Sequence, residues 1–299
     1  MAKRRLISFD WAMKKLLRSK ANFEILEGFL SELLRDDIRI LEILESESNK
    51  EDTRDKFNRV DLKVKNQQDE IIVIEVQYDR ELDYLQRILF GTSRVITEHL
   101  RESKPYADIV KVISVNILYF DLGQGEDYVY HGSTVFRGIH HQDVLRFSEG
   151  QQELYGQKEI HEIFPEYYLI KVNSFDDIAK DRLDEWIYFL KNEEIKEEFS
   201  AKGLAQAKST LDVLKLPEQE RVAYERYQDN LHYRASMVHS SYHLGRKQGR
   251  DEGKDEGRAE GEQQKALEIA RNLIDVLDDE TIAEKTGLSA GEIAKIRQG

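Results

Sequence analysis

The chain has 299 residues, enough for one or two domains with a sizeable core. It contains no cysteine, which excludes disulfides, thiolate metal sites and a cysteine nucleophile. The net charge of −13 argues against a generally basic nucleic-acid-binding surface, and the sequence has neither a signal-peptide pattern nor a run of 18 apolar residues, so we expect a cytoplasmic protein that does not enter the membrane.

The first twenty residues are basic, with seven Lys or Arg and a single acid, Asp10. The apolar spacing predicts a short helix over residues 8–17 and a second helix that begins near Asn22. Asp10 and Lys14 are four residues apart and therefore share a face of the first helix. The basic end either contacts phosphate or is simply solvated, and Asp10 is either a site residue or an acid that the helix dipole favours.

Residues 59–77 alternate apolar and polar side chains on both sides of a polar turn at residues 66–70, a pattern typical of a β-hairpin. A first strand is predicted over residues 38–45, and the polar residues 46–55 indicate a loop between it and the hairpin. The hairpin would then provide the second and third strands of a sheet.

Four polar side chains of this hairpin are candidate site residues, because side chains two residues apart share a face of a strand. Asp61 thus lies on the side of Lys63, and Glu75 on the side of Gln77. Carboxylates in apolar strands are costly unless a counter-charge neutralises them, and a hard cation such as Mg²⁺ would neutralise both. The alternative is that Asp61 and Glu75 are exposed partners of Lys63 and Lys65 on a half-solvated sheet.

A helix is predicted over residues 82–100, directly after the strand that carries Glu75. Its apolar side is predicted to consist of Leu85, Ile88, Leu89, Val95, Ile96 and Leu100. Arg87, near the start of this helix, either contacts a scissile phosphate or pairs with Glu75 or Asp83.

Strands and helices continue to alternate up to about residue 200, which predicts a mixed α/β layer rather than a helical bundle. Further strands are predicted over residues 111–120, 128–136 and 167–172, and helices over 176–192 and 203–242. We interpret Tyr224, Tyr227, Tyr233 and Tyr242 as packing aromatics, because no basic groove sequence accompanies them.

Glycine recurs at every fourth position from Gly245 to Gly261, among charged residues. On a packed or self-associating helix these glycines form one slowly drifting stripe, whereas a flexible linker needs no such period. The tail after it predicts short helices that resemble a helix-turn-helix, but its acids outnumber its bases, so we interpret it as a packing or oligomer contact. We therefore expect a core over residues 1–200, a helical extension over 201–244, a charged helix or linker over 245–262 and a small helical tail over 263–299.

The hairpin motif resembles a known nuclease signature. In PD-(D/E)XK nucleases an Asp is followed, about a dozen residues later, by Glu-x-Lys on the next strand. Asp61 with Glu75-Val76-Gln77 resembles this signature, with Gln in the Lys position.

A longer set of short motifs resembles the Rpn family of recombination-promoting nucleases, which are also described as putative transposases. The residues that carry this resemblance, in chain order, are Phe9, Asp10, Lys14, Glu75, Gln77, Tyr84 and Arg87. It covers about residues 5–290, and its specificity comes from the order of the motifs.

The resemblance implies a restriction-endonuclease-like α/β core, in which a mixed sheet is flanked by helices, with an α-helical C-terminal extension. It implies an endonuclease that hydrolyses DNA phosphodiester bonds with Mg²⁺, which Asp61 and Glu75 hold, with Asp10 as a third ligand.

The resemblance gives Gln77 its role, and the positions of Lys63, Arg87 and Lys14 suggest theirs. Gln77 takes the place of a residue that orients the attacking water, and Lys63 would supply the cation that Gln77 lacks. Arg87 and Lys14 are the expected contacts to DNA phosphate. The alternative function is a catalytically degenerate module that binds nucleic acid or another protein, and the C-terminal helices are the expected contact of a homo-oligomer.

Overall fold

The computed structural model describes residues 6–44, 61–100, 105–157 and 159–298, so the predicted loop at residues 46–55 and the first two residues of the predicted hairpin lie outside the described part. The helices are α1 Phe9–Lys15, α2 Phe23–Leu34, α3 Tyr84–His99, α4 Glu149–Tyr155, α5 Arg182–Asn192, α6 Leu204–Thr210, α7 Glu218–Leu273, α8 Asp279–Thr286 and α9 Ala290–Gln298. The strands are β1 Ile40–Ile43, β2 Leu62–Asn66, β3 Ile71–Gln77, β4 Val112–Leu118, β5 Val129–Gly132 and β6 Glu166–Lys171. Among the described residues, no helix is both long and apolar enough to cross a lipid bilayer.

The six strands form one mixed sheet in the order β1-β2-β3-β4-β6-β5. β3, β4 and β6 run parallel, while β1, β2 and β5 are antiparallel to their neighbours. Parallel neighbours need a crossover connection, which α3 provides between β3 and β4. The predicted mixed α/β fold, with a helix-flanked sheet and an α-helical C-terminal extension, is confirmed.

The predicted hairpin is confirmed as β2 and β3, in which Leu62 lies opposite Ile74. The turn is held by the side chain of Asn66, whose Oδ1 accepts hydrogen bonds from the backbone N–H groups of Gln68 and Glu70 at 3.1 and 2.9 Å. An Asn side chain that mimics a backbone turn in this way fixes the loop length and thereby the strand register. The register brings the C-terminal end of β3 alongside the start of β2.

The main apolar core lies between one face of the sheet and helices α1, α2, α5 and α6. β3 contributes the alternating residues Ile72, Ile74 and Val76. Phe9, Phe29 and Trp186 pack edge to face, with ring centroids 5.3–6.1 Å apart. Aromatic clusters of this kind bury large apolar areas, so the packing holds α1, with Asp10 and Lys14, firmly against the sheet.

α3 covers the opposite face of the sheet, with the buried stripe Tyr84, Ile88, Thr92 and Val95. The apolar side predicted for this helix is wrong for Leu85 and Leu89, which are 52% and 58% exposed. The reason is that two residues with polar atoms occupy the buried stripe. The hydroxyl of Tyr84 hydrogen-bonds to Asn116 at 3.1 Å, and that of Thr92 donates to the carbonyl of Ile88.

Two further elements are shorter than predicted. α5 begins at Arg182 rather than near residue 176, because the carboxylate of Asp181 accepts a hydrogen bond from the backbone N–H of Asp184 and caps the helix. β5 ends at Gly132 instead of residue 136.

Residues 1–228 and 229–299 form two compact units. In the first, the beginning of α7 packs on α1, and the buried Tyr224 contacts Trp11 with ring centroids 5.4 Å apart. In the second, the glycine-repeat segment is α-helical rather than an irregular linker, but its glycines face open space among the described residues, so the packing or self-association expected of that helix stays a prediction. The end of α7 joins α8 and α9 in a small apolar cluster of Ala270, Ile282, Leu288 and Ile293. The segment boundaries expected at residues 200, 244 and 262 stay predictions.

Candidate active site

Asp61 lies at the start of β2, beside the C-terminal half of β3. Its Oδ2 accepts a hydrogen bond from the backbone N–H of Val76 at 2.8 Å. The side chain is only 14% exposed, and this burial raises the pKa of the carboxyl group. Continuing the register one residue beyond the Leu62–Ile74 pair sets Asp61 opposite Glu75.

Lys14 connects Asp61 to the N-terminal helix. Its Nζ lies 2.6 Å from Oδ1 of Asp10 and 3.3 Å from Oδ1 of Asp61. The first contact follows from the four-residue spacing on α1, and the second from the packing of α1 on the sheet. Burial lowers the pKa of Lys14, but the two carboxylates outweigh it, so the net shift is upward and the lysine stays charged.

Asp10 is also held by α7, through a contact that the sequence pattern did not predict. The hydroxyl of Tyr227 donates a hydrogen bond to Oδ2 of Asp10. Burial raises the pKa of Tyr227, so the hydroxyl remains a proton donor. One turn earlier, the hydroxyl of Tyr224 accepts a hydrogen bond from the backbone N–H of Ser8 at 3.0 Å. The interpretation of the four tyrosines as packing residues holds for the buried Tyr224, whereas Tyr227 also contributes a polar contact. It is wrong for Tyr233 and Tyr242, which are 66% and 63% exposed on α7.

Glu75, near the end of β3, pairs with Arg87 on α3, which is one of the two alternatives expected for that arginine. The other guanidinium nitrogen of Arg87 lies 2.6 Å from Oε1 of Glu81. Burial raises the pKa of Glu75 to about 7, although Arg87 acts in the opposite direction. The nearby negative charge of Asp61 adds to the rise in the pKa of Glu75.

Gln77 ends β3, and its side-chain amide belongs to the same network. Nε2 donates hydrogen bonds to Oε1 of Glu81 at 2.9 Å and to the carbonyl of Asp79 at 3.1 Å. Glu81 is therefore a common acceptor for Gln77 and Arg87, and nothing in the spacing of the sequence pointed to it.

Lys63 is the one proposed site residue whose charged group is paired elsewhere. Its Nζ lies 3.2 Å from Oε2 of Glu98 on α3, and the side chain is nearly buried. The cation in contact with Asp61 is Lys14 instead. The catalytic role of Lys63 stays a prediction.

The donor set suits a hard divalent cation. Asp61 and Glu75 offer carboxylate oxygens, which Mg²⁺ prefers, in a buried position where a cation would relieve their mutual repulsion. Within the described ranges, no group of three or more His, Cys, Asp or Glu side chains is arranged to hold a metal ion. The sharing of one cation by Asp61, Glu75 and Asp10 therefore stays a prediction.

Comparison with protein families matches residues 7–241 to the family described as "PD-(D/E)XK nuclease family transposase". The match includes every residue singled out above for the candidate site, from Asp10 to Tyr227. The comparisons with curated proteins and with solved structures give no significant match.

Proposed function

Because this chain belongs to the PD-(D/E)XK nuclease family of transposases, we propose that it is a metal-dependent endonuclease that hydrolyses DNA phosphodiester bonds with Mg²⁺. Family membership itself supports a nuclease or transposase-like function. The observation that carries the finer proposal is the meeting of two buried carboxylates with two basic side chains, Asp61 with Lys14 and Glu75 with Arg87. A site for a cation and a phosphodiester needs both anionic oxygens and cationic donors.

Asp61 and Glu75 hold the metal ion in this proposal, and Asp10 completes the set of ligands. When bound, Mg²⁺ polarises the phosphoryl group and lowers the pKa of a coordinated water. Glu75 binds a cation only in its deprotonated form, so its raised pKa makes metal binding and cleavage increase as the pH rises through about 7.

Lys14 and Arg87 bind the phosphodiester. The guanidinium of Arg87 already makes a fork of contacts to two carboxylates, and the same donor geometry suits two phosphate oxygens. The side chain of Lys14 is 41% exposed, so its ammonium group is within reach of a ligand in solvent. Both side chains exchange an internal carboxylate partner for phosphate when the carboxylates take up a cation.

Gln77 orients the attacking water with its amide, which both donates and accepts hydrogen bonds but carries no charge. The contact of its Nε2 with Glu81 sets the direction of the amide. Lys63 lies on the same face of β2 as Asp61. It supplies the positive charge that the lysine of the nuclease signature would supply at position 77.

A catalytically degenerate module that binds nucleic acid or another protein is the competing function. The specific observation in its favour is Gln77, because an amide cannot act as a base or carry charge. The net charge of −13 also favours a role other than broad contact with DNA.

Cleavage of supercoiled plasmid in the presence of Mg²⁺ tests the proposal. We expect nicked and linear products with the native chain, none after chelation of Mg²⁺, and none with Asp61→Ala. Asp69→Asn is the matched control. Asp69 is an exposed acid in the turn of the same hairpin and pairs with the surface Lys65, and Asn removes its charge but tolerates its left-handed backbone conformation, with φ 63°. Undiminished cleavage by Asp61→Ala would reject this active site, and plasmid binding without cleavage by the native chain would establish the competing function.

A further inference from the structure

Two histidines of α7 face one another across a single helical turn in the second unit. His239 and His243 are four residues apart and thus share a face of the helix. Their Nε2 atoms lie 3.0 Å apart, and their ring centroids 4.3 Å. Both side chains are exposed, so the two nitrogens meet at a point that solvent and ions reach freely.

We propose that His239 and His243 form a two-histidine site for a late first-row divalent cation, with Ni²⁺ and Cu²⁺ preferred to Zn²⁺. Imidazole nitrogens bind such ions at about 2.0–2.1 Å. Two nitrogens 3.0 Å apart then subtend an angle of about 90–100° at the ion. This is the angle between neighbouring ligands in square-planar and octahedral coordination, whereas tetrahedral zinc requires a wider one. Water fills the remaining positions.

The direct contact between the rings prepares the pair for chelation. In the absence of a cation, one neutral imidazole donates a hydrogen bond to the other, and such a bond in water adds little net stability because water competes for both partners. The contact shows that the helix allows rotamers which bring the two Nε2 atoms together, and the imidazole that donates moves its proton to Nδ1 when both Nε2 atoms bind an ion.

The surroundings of the pair leave room for a cation but add no negative charge. Residues 235–245 contain no Asp, Glu, Lys or Arg, whereas Arg246 and Lys247 follow His243 by three and four residues on the same side of the helix, and their positive charge weakens the binding of a cation. The small side chains of Ser236 and Ser240 flank the pair and leave room for coordinated water. Nitrogen donors select different metals from the carboxylate oxygens of the candidate active site, so the two sites take up different ions.

Binding at this place stabilises the helix that carries it. An ion held by both rings ties together residues four apart, and the unfolded segment does not hold the two nitrogens at this spacing. The glycine repeat begins at Gly245, two residues after His243, and glycine weakens a helix more than any residue except proline. The bound cation thus stabilises α7 just before the glycine repeat, where the helix is intrinsically weak.

Titration of the untagged full chain with Ni²⁺, followed through the imidazole proton signals in NMR, tests the site without reference to nuclease activity. Paramagnetic Ni²⁺ is expected to broaden the signals of two of the eight histidines first. His239→Ala and His243→Ala should each weaken binding at least about tenfold, because a single imidazole loses the advantage of an intramolecular second ligand. Broadening of all histidines alike, or unchanged affinity in His239→Ala, would overturn the proposal.

His232→Ala is the matched control, because His232 lies exposed on the same side of α7 but has no histidine four residues away. Its substitution should leave Ni²⁺ affinity unchanged. Hydrogen exchange measured with and without Ni²⁺ tests whether the cation stabilises the helix. The amides of residues 239–243 should exchange more slowly with Ni²⁺ in the native chain but not in His243→Ala. Unaltered exchange in the native chain would overturn the stabilising role, and tighter binding of Zn²⁺ than of Ni²⁺ would overturn the geometry inferred from the 3.0 Å contact.

Discussion

The two carboxylates of the candidate site are held by different parts of the fold. Glu75 is paired through α3, the helix that directly follows its own strand, and the partner Arg87 is twelve residues away. Asp61 is paired through Lys14 on α1, and α1 is in turn held by Tyr227, 217 residues beyond Asp10. The Glu75 side is therefore a local structure, whereas the Asp61 side depends on the packing of the two ends of the first unit.

The comparison predicts that loss of Asp61 is the most damaging single change. Asp61→Ala should lower the rate of cleavage by a factor on the order of 10³ or more, because a metal ligand is lost and Lys14 is left without one of its carboxylates.

Gln77→Lys should retain or raise the rate of cleavage, because it restores the cation usual in the family. Initial rates of plasmid nicking measure both, and a Gln77→Lys variant as inactive as Asp61→Ala would contradict the assignment of water orientation to the amide.

Lys63 provides a second test of how charge is distributed in the site. Lys63→Ala should lower cleavage by the native chain about tenfold, and by the Gln77→Lys variant less, because only the native chain relies on Lys63 for positive charge. The double-mutant cycle on nicking rates measures the difference. Equal losses in both backgrounds would show that Lys63 acts only through its ion pair with Glu98.

Tyr227→Phe tests the long-range support of Asp10. The substitution keeps the ring but removes the hydroxyl that donates to the buried Asp10, so we expect weaker Mn²⁺ binding by roughly threefold to tenfold, and a melting temperature lower by a few degrees. Calorimetric titration with Mn²⁺ measures the affinity. Tyr233→Phe, in which an exposed tyrosine of the same helix is altered, is the control, and an equal effect of both changes would remove Tyr227 from the site.

The raised pKa of Glu75 predicts how the stability of the metal-free protein depends on pH. Its ordinary value is 4.5 and burial raises it to about 7, so the folded chain retains a proton that the unfolded chain releases between these values. The free energy of unfolding should therefore fall as the pH rises from about 4.5 to 7, by at most on the order of 3 kcal/mol. Urea denaturation of the native chain and of Glu75→Gln measures it. The variant should lack this part of the slope, and an identical slope in both would refute the prediction.

The smallest effect on catalysis is expected from removal of residues 245–299. All proposed catalytic groups lie before residue 90, so the truncated chain should keep its core folded and nick plasmid at close to the native rate. Self-association should change instead, because the C-terminal helices are the proposed oligomer contact. Sedimentation and nicking assays decide, and loss of core folding would count against a separate tail.

Sequence patterns predicted the elements that depend on neighbouring residues. They failed where contacts between residues far apart in the sequence determine which side chains are buried. The hairpin was predictable because period-two alternation and the polar turn agree, and the Asp10–Lys14 pair follows from helix geometry. The buried side of α3 was predicted wrongly for Leu85 and Leu89, since apolar periodicity does not reveal that the hydroxyl of Tyr84 has a hydrogen-bond partner, Asn116, in the sheet.

The same distinction applies to the candidate site. The sequence points to Asp61 and Glu75 because both are acids in apolar strands and together match the nuclease signature, and the hairpin register places them opposite one another. The acceptor Glu81 and the donor Tyr227 could not be inferred, because no spacing rule relates them to the residues they contact.

Lys14 and Arg87 stabilise the fold of the protein in the absence of metal and DNA. Ionised carboxylates at this depth penalise folding, as the raised pKa of both Asp61 and Glu75 indicates, and the basic side chain beside each one reduces that penalty in the metal-free protein. In the proposed function a cation displaces these partners when it binds the carboxylates, so the two ion pairs lower its affinity. The same two ion pairs thus stabilise the metal-free fold and weaken the binding of a cation.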